Sequence, residues 1–141
     1  MKLKKYLTTL AAGCMLSLDA VSGGLVIVNQ SVSADPLDQK TVQRLFLGKL
    51  TKLPNGAQAK TVDQHQGSPV RDEFYQQVVR KSPAQLKAYW SKKIFSGKGT
   101  PPPQLPNDQA VKAWVMENPD ALGYISEAAG EDGVNVVYRF P

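Results

Sequence analysis

"HQGSPVRDEF", residues 65–74, is the stretch on which the reading of this chain turns. Gly67 and Ser68 stand directly before Pro69, and proline suits the first helical position because the N–H it lacks is one a helix start leaves unpaired anyway. Ser68 is then the N-cap, and Val70, Phe74 and Val78 recur at spacings of four on one face. Such a helix start points free backbone N–H groups and the positive end of the macrodipole at whatever precedes it, which favours an anion. The stretch is therefore either a seat for an anion or only a capped helix.

Working outward, helical and strand patterns alternate. Upstream, Leu25–Val28 is a continuous apolar run that suits a strand covered on both faces, as in a parallel or mixed sheet. Asp38 or Thr41 caps a short helix carrying Val42, Leu45 and Phe46 and ending at Gly48. A Pro-Asn-Gly turn at 54–56 leads into a modest strand over Ala57–Val62. Downstream, "SPAQ" at 82–85 has the capping-box pattern and opens a helix with Leu86, Tyr89 and Trp90 inward. The proline-rich run 95–107 is loop, Asp108 starts a helix with Val111, Trp114 and Val115 inward, and Gly123–Ile125 and Val134–Tyr138 are strands about an Asp132-Gly133 turn. The expectation is an α/β fold, a small mixed β-sheet flanked by helices.

At 141 residues the chain suits one domain, and 42% apolar with 21% charged residues fits a globular protein rather than a disordered one. Lys2, Lys4 and Lys5 precede an apolar run over Tyr6–Leu18, and Ala20 and Ser22 are small residues where a signal peptidase reads them. Residues 1–22 are read as a secretory signal and 23–141 as the folded lobe, which places the protein in the bacterial periplasm or outside the cell. The alternative is a lipoprotein leader that ends before Cys14, with that cysteine lipid-anchored, since Leu10–Cys14 resembles a lipobox. A membrane-spanning anchor is disfavoured by the shortness of the run and by Thr8, Thr9, Ser17 and Asp19 within it.

Cys14 is the only cysteine, so the lobe has no disulfide, thiol nucleophile or cysteine zinc site. Without the leader, 14 basic and 11 acidic residues remain, and no basic stripe with interleaved aromatics marks a nucleic-acid binder. Lys92, Lys93 and Lys98 read as cations at a helix end. The single histidine, His65, reads as a loop residue, because no nucleophile elbow frames nearby Ser68. Asp72-Glu73 and Glu131-Asp132 read as solvated surface, so no catalytic residue, metal site or cofactor is expected.

Five blocks in order, "VIVNQS" (26–31), "VQRLFLGKLTKLPNG" (42–56), "GSPVRDEF" (67–74), "AYWSKKIFSGKG" (88–99) and "LGYISEAAG" (122–130), resemble the phosphate ABC-transporter substrate-binding proteins of the type 2 periplasmic-binding-protein superfamily. The resemblance is closest to short exported members holding a single lobe, and it implies a non-enzymatic binding protein. In the family the second-lobe anion site is similar to an Arg followed by Gly-Ser-Gly-Thr at a helix start. Here Gly67 and Ser68 keep their places, whereas Gln64 stands for the Arg, Pro69 for the second Gly and Val70 for the Thr.

The resemblance implies phosphate or another oxyanion as ligand, weakly held, with Arg71 supplying charge if it folds back toward Ser68. Asn29, Gln30 and Ser31 follow the first strand, where open α/β sheets place ligand loops. The candidate ligand set is thus Asn29, Ser31, Gln64, Gly67, Ser68, Val70 and Arg71. Trp90, Trp114, Phe74 and Tyr89 are expected in the core. A lone lobe cannot close on a ligand, so a homodimer would supply the missing half. The alternative is a periplasmic interaction or sensory accessory module, docking on a membrane transporter or sensor and binding no small ligand.

Overall fold

The computed structural model describes residues 23–141, and the secretory-signal and lipobox readings of residues 1–22, with Cys14, lie outside them. Strand β1 (Gly24–Asn29) is followed by α1 (Gln39–Phe46), β2 (Lys60–Thr61), β3 (Asp63–Gln64) and α2 (Pro69–Phe74), which runs on into a π-helical turn, Tyr75–Val79. Then come α3 (Pro83–Phe95), β4 (Gln104–Leu105), α4 (Asp108–Glu117), β5 (Ala121–Ser126), a 3₁₀ turn and β6 (Val134–Phe140).

The main sheet has the order β2-β5-β1-β6, with β1 antiparallel to both neighbours and β2 parallel to β5. It is the small mixed sheet expected. Strands β3 and β4 form a parallel pair beside it.

Every residue of β1 is buried, as its unbroken apolar run predicts. Val26 and Val28 face a layer made by α1, α2 and α3, whose core holds Phe46, Phe74 and Trp90. Leu25 and Ile27 face α4 through Val111 and Val115. The lobe is therefore a three-layer α/β/α sandwich. Helix α4 lies so close to β5 that a Cβ on Gly123 would come within 2.6 Å of Val111 Cγ1 and 3.0 Å of Val62 Cγ2.

The helix starts follow their local chemistry. Asp38 accepts the Thr41 N–H at 2.7 Å, Ser82 and Gln85 form both bonds of a capping box, and Asn107 accepts the Ala110 N–H at 2.8 Å.

Three expectations are corrected. The strand read over Ala57–Val62 is only Lys60–Thr61: Gln58 pairs back with Lys52 instead, Val62 makes the last bond to the main sheet through its N–H to Leu122 O, and the chain next pairs with β4 through Asp63 and Gln64. Trp114 is not core: it is 43% exposed, while Val111 and Val115 carry the inward face of α4. Glu73 is not simply solvated surface, because it accepts the Gly23 N–H at 2.8 Å and so fastens the start of β1 to α2.

Candidate functional site

The turn before α2 forms as its residues dictate. Gly67 has φ +94°, a backbone region that glycine enters without strain, and the Ser68 N–H bonds His65 O as the chain reverses. Ser68 then occupies the N-cap with extended backbone, and Pro69 is the first helical residue.

Ser68 does not cap the helix with its side chain, however. Its hydroxyl donates to Gln64 Oε1 at 2.9 Å, so the first-turn N–H groups of α2 receive no side-chain cap. Gln64, buried, is fully used: its Nε2 donates to Asp108 Oδ1 at 2.7 Å and to Tyr124 O at 3.1 Å. Asp108 in turn takes the Ser126 N–H at 3.1 Å and its hydroxyl. These bonds tie the starts of α2 and α4 to the end of β5.

Arg71 does not fold back toward Ser68. Its Nη1 lies 2.6 Å from Asp63 Oδ2 and 2.9 Å from Gln64 O, and its guanidinium sits 4.7 Å from the centroid of the Tyr75 ring. Asp63 is the hub: Oδ2 also accepts the Tyr75 hydroxyl at 2.5 Å, and Oδ1 accepts the Tyr124 hydroxyl and the Gln64 N–H at 2.8 Å. Four donors occupy the lone-pair positions of one carboxylate.

Burial, the largest single influence, would lower the Arg71 pKa, but the charge and hydrogen bond of Asp63 together with the Tyr75 and Tyr124 oxygens more than offset it, so the net shift is upward and the guanidinium is a fixed cation. Burial first, and then the same carboxylate, push the Tyr75 and Tyr124 hydroxyls well above the usual phenol range, so both stay neutral donors. The Arg71–Asp63 pair thus carries no net charge, and each buried polar side-chain atom of the corner has a partner.

The candidate residues do not form one constellation. Gln64, Gly67, Ser68 and Arg71 come together at the N-terminal end of α4. Val70 is nearby in sequence but points its side chain into the core. Asn29 binds the other end of α4, donating to Val115 O at 2.8 Å and Met116 O at 2.9 Å, while its Oδ1 accepts the Ser31 N–H and hydroxyl. Asp108 and Met116 are about 12 Å apart at ~1.5 Å of helix rise per residue.

The physical reason is strand direction. Strand β1 runs antiparallel to β5, so its carboxyl end faces away from the carboxyl ends of β5 and β2. Asn29 and Ser31 therefore serve the last carbonyls of α4 and stand apart from the corner.

Sequence reading missed Asp63, Tyr75, Tyr124 and Asp108. Only Asp63 left a trace: an acid directly after Val62, followed eight residues later by Arg71 on the next helix. His65 Nδ1 rests against Gln66 O at 2.5 Å while Ser68 bonds Gln64, so the two do not form a nucleophile and base pair. Outside the corner lies an open groove of about 1650 Å³, bordered by Gly67, Arg71 and Tyr75 on one side and Arg80, Lys81 and Lys87 on the other.

No protein-family model matches the chain, and no curated protein matches it significantly. Solved structures do. One described as a phosphate ABC transporter substrate-binding protein from Clostridium perfringens, with bound phosphate, aligns with a TM-score of 0.65 at 22% identity over 82% of this chain and 44% of its own. An ABC-type phosphate transport receptor from Vibrio cholerae aligns at 0.60 and 16% identity, over 82% and 45% of the two chains. PstS from Borrelia burgdorferi aligns at 0.60 and 10% identity, over 82% and 46%. The chain spans less than half the length of each of these proteins. Its fold is that of a single lobe of a phosphate-transport substrate-binding protein.

Proposed function

We propose that this protein is an exported, non-enzymatic binding-protein lobe that acts as an accessory module, docking on a membrane transporter, a sensor or a second copy of itself. In this reading it captures phosphate or another oxyanion only weakly. The observation that carries the proposal is the Arg71 to Asp63 ion pair at 2.6 Å.

A phosphate seat needs uncompensated positive charge and free donors aimed at one point. Here the one cation at the helix start is neutralised by a buried carboxylate, and the Ser68 hydroxyl and Gln64 amide spend their hydrogen bonds on each other and on Asp108. The remaining attraction is that of uncapped N–H groups on a short helix, facing an open groove rather than an enclosed cavity. Periplasmic location and the absence of catalysis rest on the leader pattern and on the kind of protein whose lobe this fold resembles.

Isothermal titration of the purified protein with inorganic phosphate at low ionic strength tests the reading. The expected result is no saturable heat below millimolar phosphate. Micromolar binding that Ser68→Ala abolishes would overturn it and restore the corner as an anion seat. Sedimentation with and without phosphate then asks whether a second copy supplies the missing half of a site.

A further inference from the structure

The last turn of α3 leaves two apolar side chains in water. Phe95 is 95% exposed and Ile94 53% exposed. Around them the chain carries only positive charge. From residue 74 to 107 there are six basic residues, Arg80, Lys81, Lys87, Lys92, Lys93 and Lys98, and no acidic one. From 39 to 62, covering α1 and the turns after it, there are five basic residues and again no acidic one.

The fold brings these stretches together. Lys93 Nζ donates to Leu47 O at 3.0 Å, which pins the end of α3 against the end of α1. Lys49, Lys81 and Lys93 then stand 6.0, 5.3 and 5.3 Å from the centroid of the single ring of Tyr89. Among the described residues the ion pairs are Lys60–Asp120, Arg71–Asp63 and Arg139–Glu131, and none uses a cation of this tip. The opposite end of the sequence is the reverse in sign: residues 108–141 hold six acidic and two basic residues. The adjoining ends of α1 and α3 are thus a basic surface, and it carries a protruding aromatic.

We infer that the end of α3, with Phe95 and Ile94 set among Lys49, Lys92, Lys93 and Lys98, is a docking tip for an anionic phospholipid surface. Ammonium groups gather at anionic headgroups, and an aromatic side chain beside them enters the interfacial layer. A protein partner fits less well, because hot spots sit in packed pockets inside a contiguous apolar patch, whereas Phe95 projects almost alone. No helix among the described residues is long and apolar enough to cross a membrane, so the contact is peripheral.

The test is co-sedimentation of the purified full chain with vesicles of phosphatidylcholine and phosphatidylglycerol, against phosphatidylcholine alone, at low and high salt. Any contribution of the leader is common to all variants, so the readout is the difference between them. Expected is binding to the anionic vesicles that falls about fivefold for each of Lys92→Gln and Lys98→Gln, and about tenfold or more for Phe95→Ser. High salt should weaken the lysine-dependent part. All three side chains are exposed, so circular dichroism should show an unchanged fold. Variants that bind like wild type would overturn the inference, as would a wild-type protein that ignores anionic vesicles; a crosslink from residue 95 to an acidic protein would then assign the tip to a protein partner.

Discussion

The chemistry of the corner turns on Asp63. Its carboxylate neutralises Arg71 and accepts two tyrosine hydroxyls, so removing one partner strands a buried charge. Arg71→Ala should destabilise the protein by about 3–5 kcal/mol. A double-mutant cycle with Asp63→Ala, followed by urea unfolding, should show strong coupling, and additive losses would refute the pairing. For the same reason, loss of phosphate binding in Arg71→Ala would report damage to the fold, and Ser68→Ala is the cleaner probe of the corner. The tyrosines give a second prediction. Their folded pKa values lie above the unfolded value of about 10, so their stabilising effect is complete below pH 10. Above it the unfolded chain loses protons that the folded chain keeps, and stability should fall by up to ~2.7 kcal/mol per pH unit for the two groups together. Tyr75→Phe should roughly halve that slope in alkaline unfolding curves. None of this was legible at residue scale from sequence. The "GSP" helix start could be read, but the choice of Arg71 to pair with Asp63 depends on where β3 delivers the carboxylate.

The elements show where local signals suffice. The capping residues Asp38, Ser82 and Asn107 act over three residues, and α1, α3 and α4 begin where those signals stand. Ser82→Ala should therefore cost about 1 kcal/mol, read as a drop in the unfolding midpoint. Close packing of α4 on β5 makes a sharper prediction: Gly123→Ala drives a methyl against Val111 and Val62, both stiff at χ1, and should cost about 1–3 kcal/mol. Pairing it with Val111→Ala should recover part of that loss, and no recovery would mean that Val111 is not the obstacle. Less was legible where structure depends on distant pairing. Strands β2, β3 and β4 have two residues each, too few for a period, and exist because β5 and each other complete their hydrogen bonds. The π-helical turn over Tyr75–Val79 has no sequence mark either; it ends at Arg80 in the left-handed region, with φ 59°. The rule that loops after strands gather at one edge points to Asn29 and Ser31 as ligands, and it fails here because the first strand runs antiparallel to its neighbours.

For the whole molecule, alternating patterns and the order of five blocks were enough to read a lobe, because layer architecture follows from which faces are apolar. Its boundary at residue 23 is a proposal with a structural consequence. Gly23 is buried, and a Cβ on it would stand 2.9 Å from Phe140 O, so the packed lobe requires glycine at the first position after the Ala20–Ser22 cleavage pattern. Its nitrogen lies 2.8 Å from Glu73 Oε2. While residue 22 is attached that nitrogen is a neutral amide. After cleavage it would be an ammonium facing a carboxylate, and charge-assisted hydrogen bonds are about twice as strong as neutral ones. Processing at Ser22 would thus strengthen the bond that holds β1 to α2. Mass spectrometry of the protein isolated from its native source should find Gly23 at the N-terminus. Glu73→Gln should then lower the stability of the processed form by about 1 kcal/mol, and of a form retaining residue 22 by roughly half as much. Equal losses in both forms would show that the charge on Gly23 plays no part, and a mass that retains lipid on Cys14 would move the boundary itself.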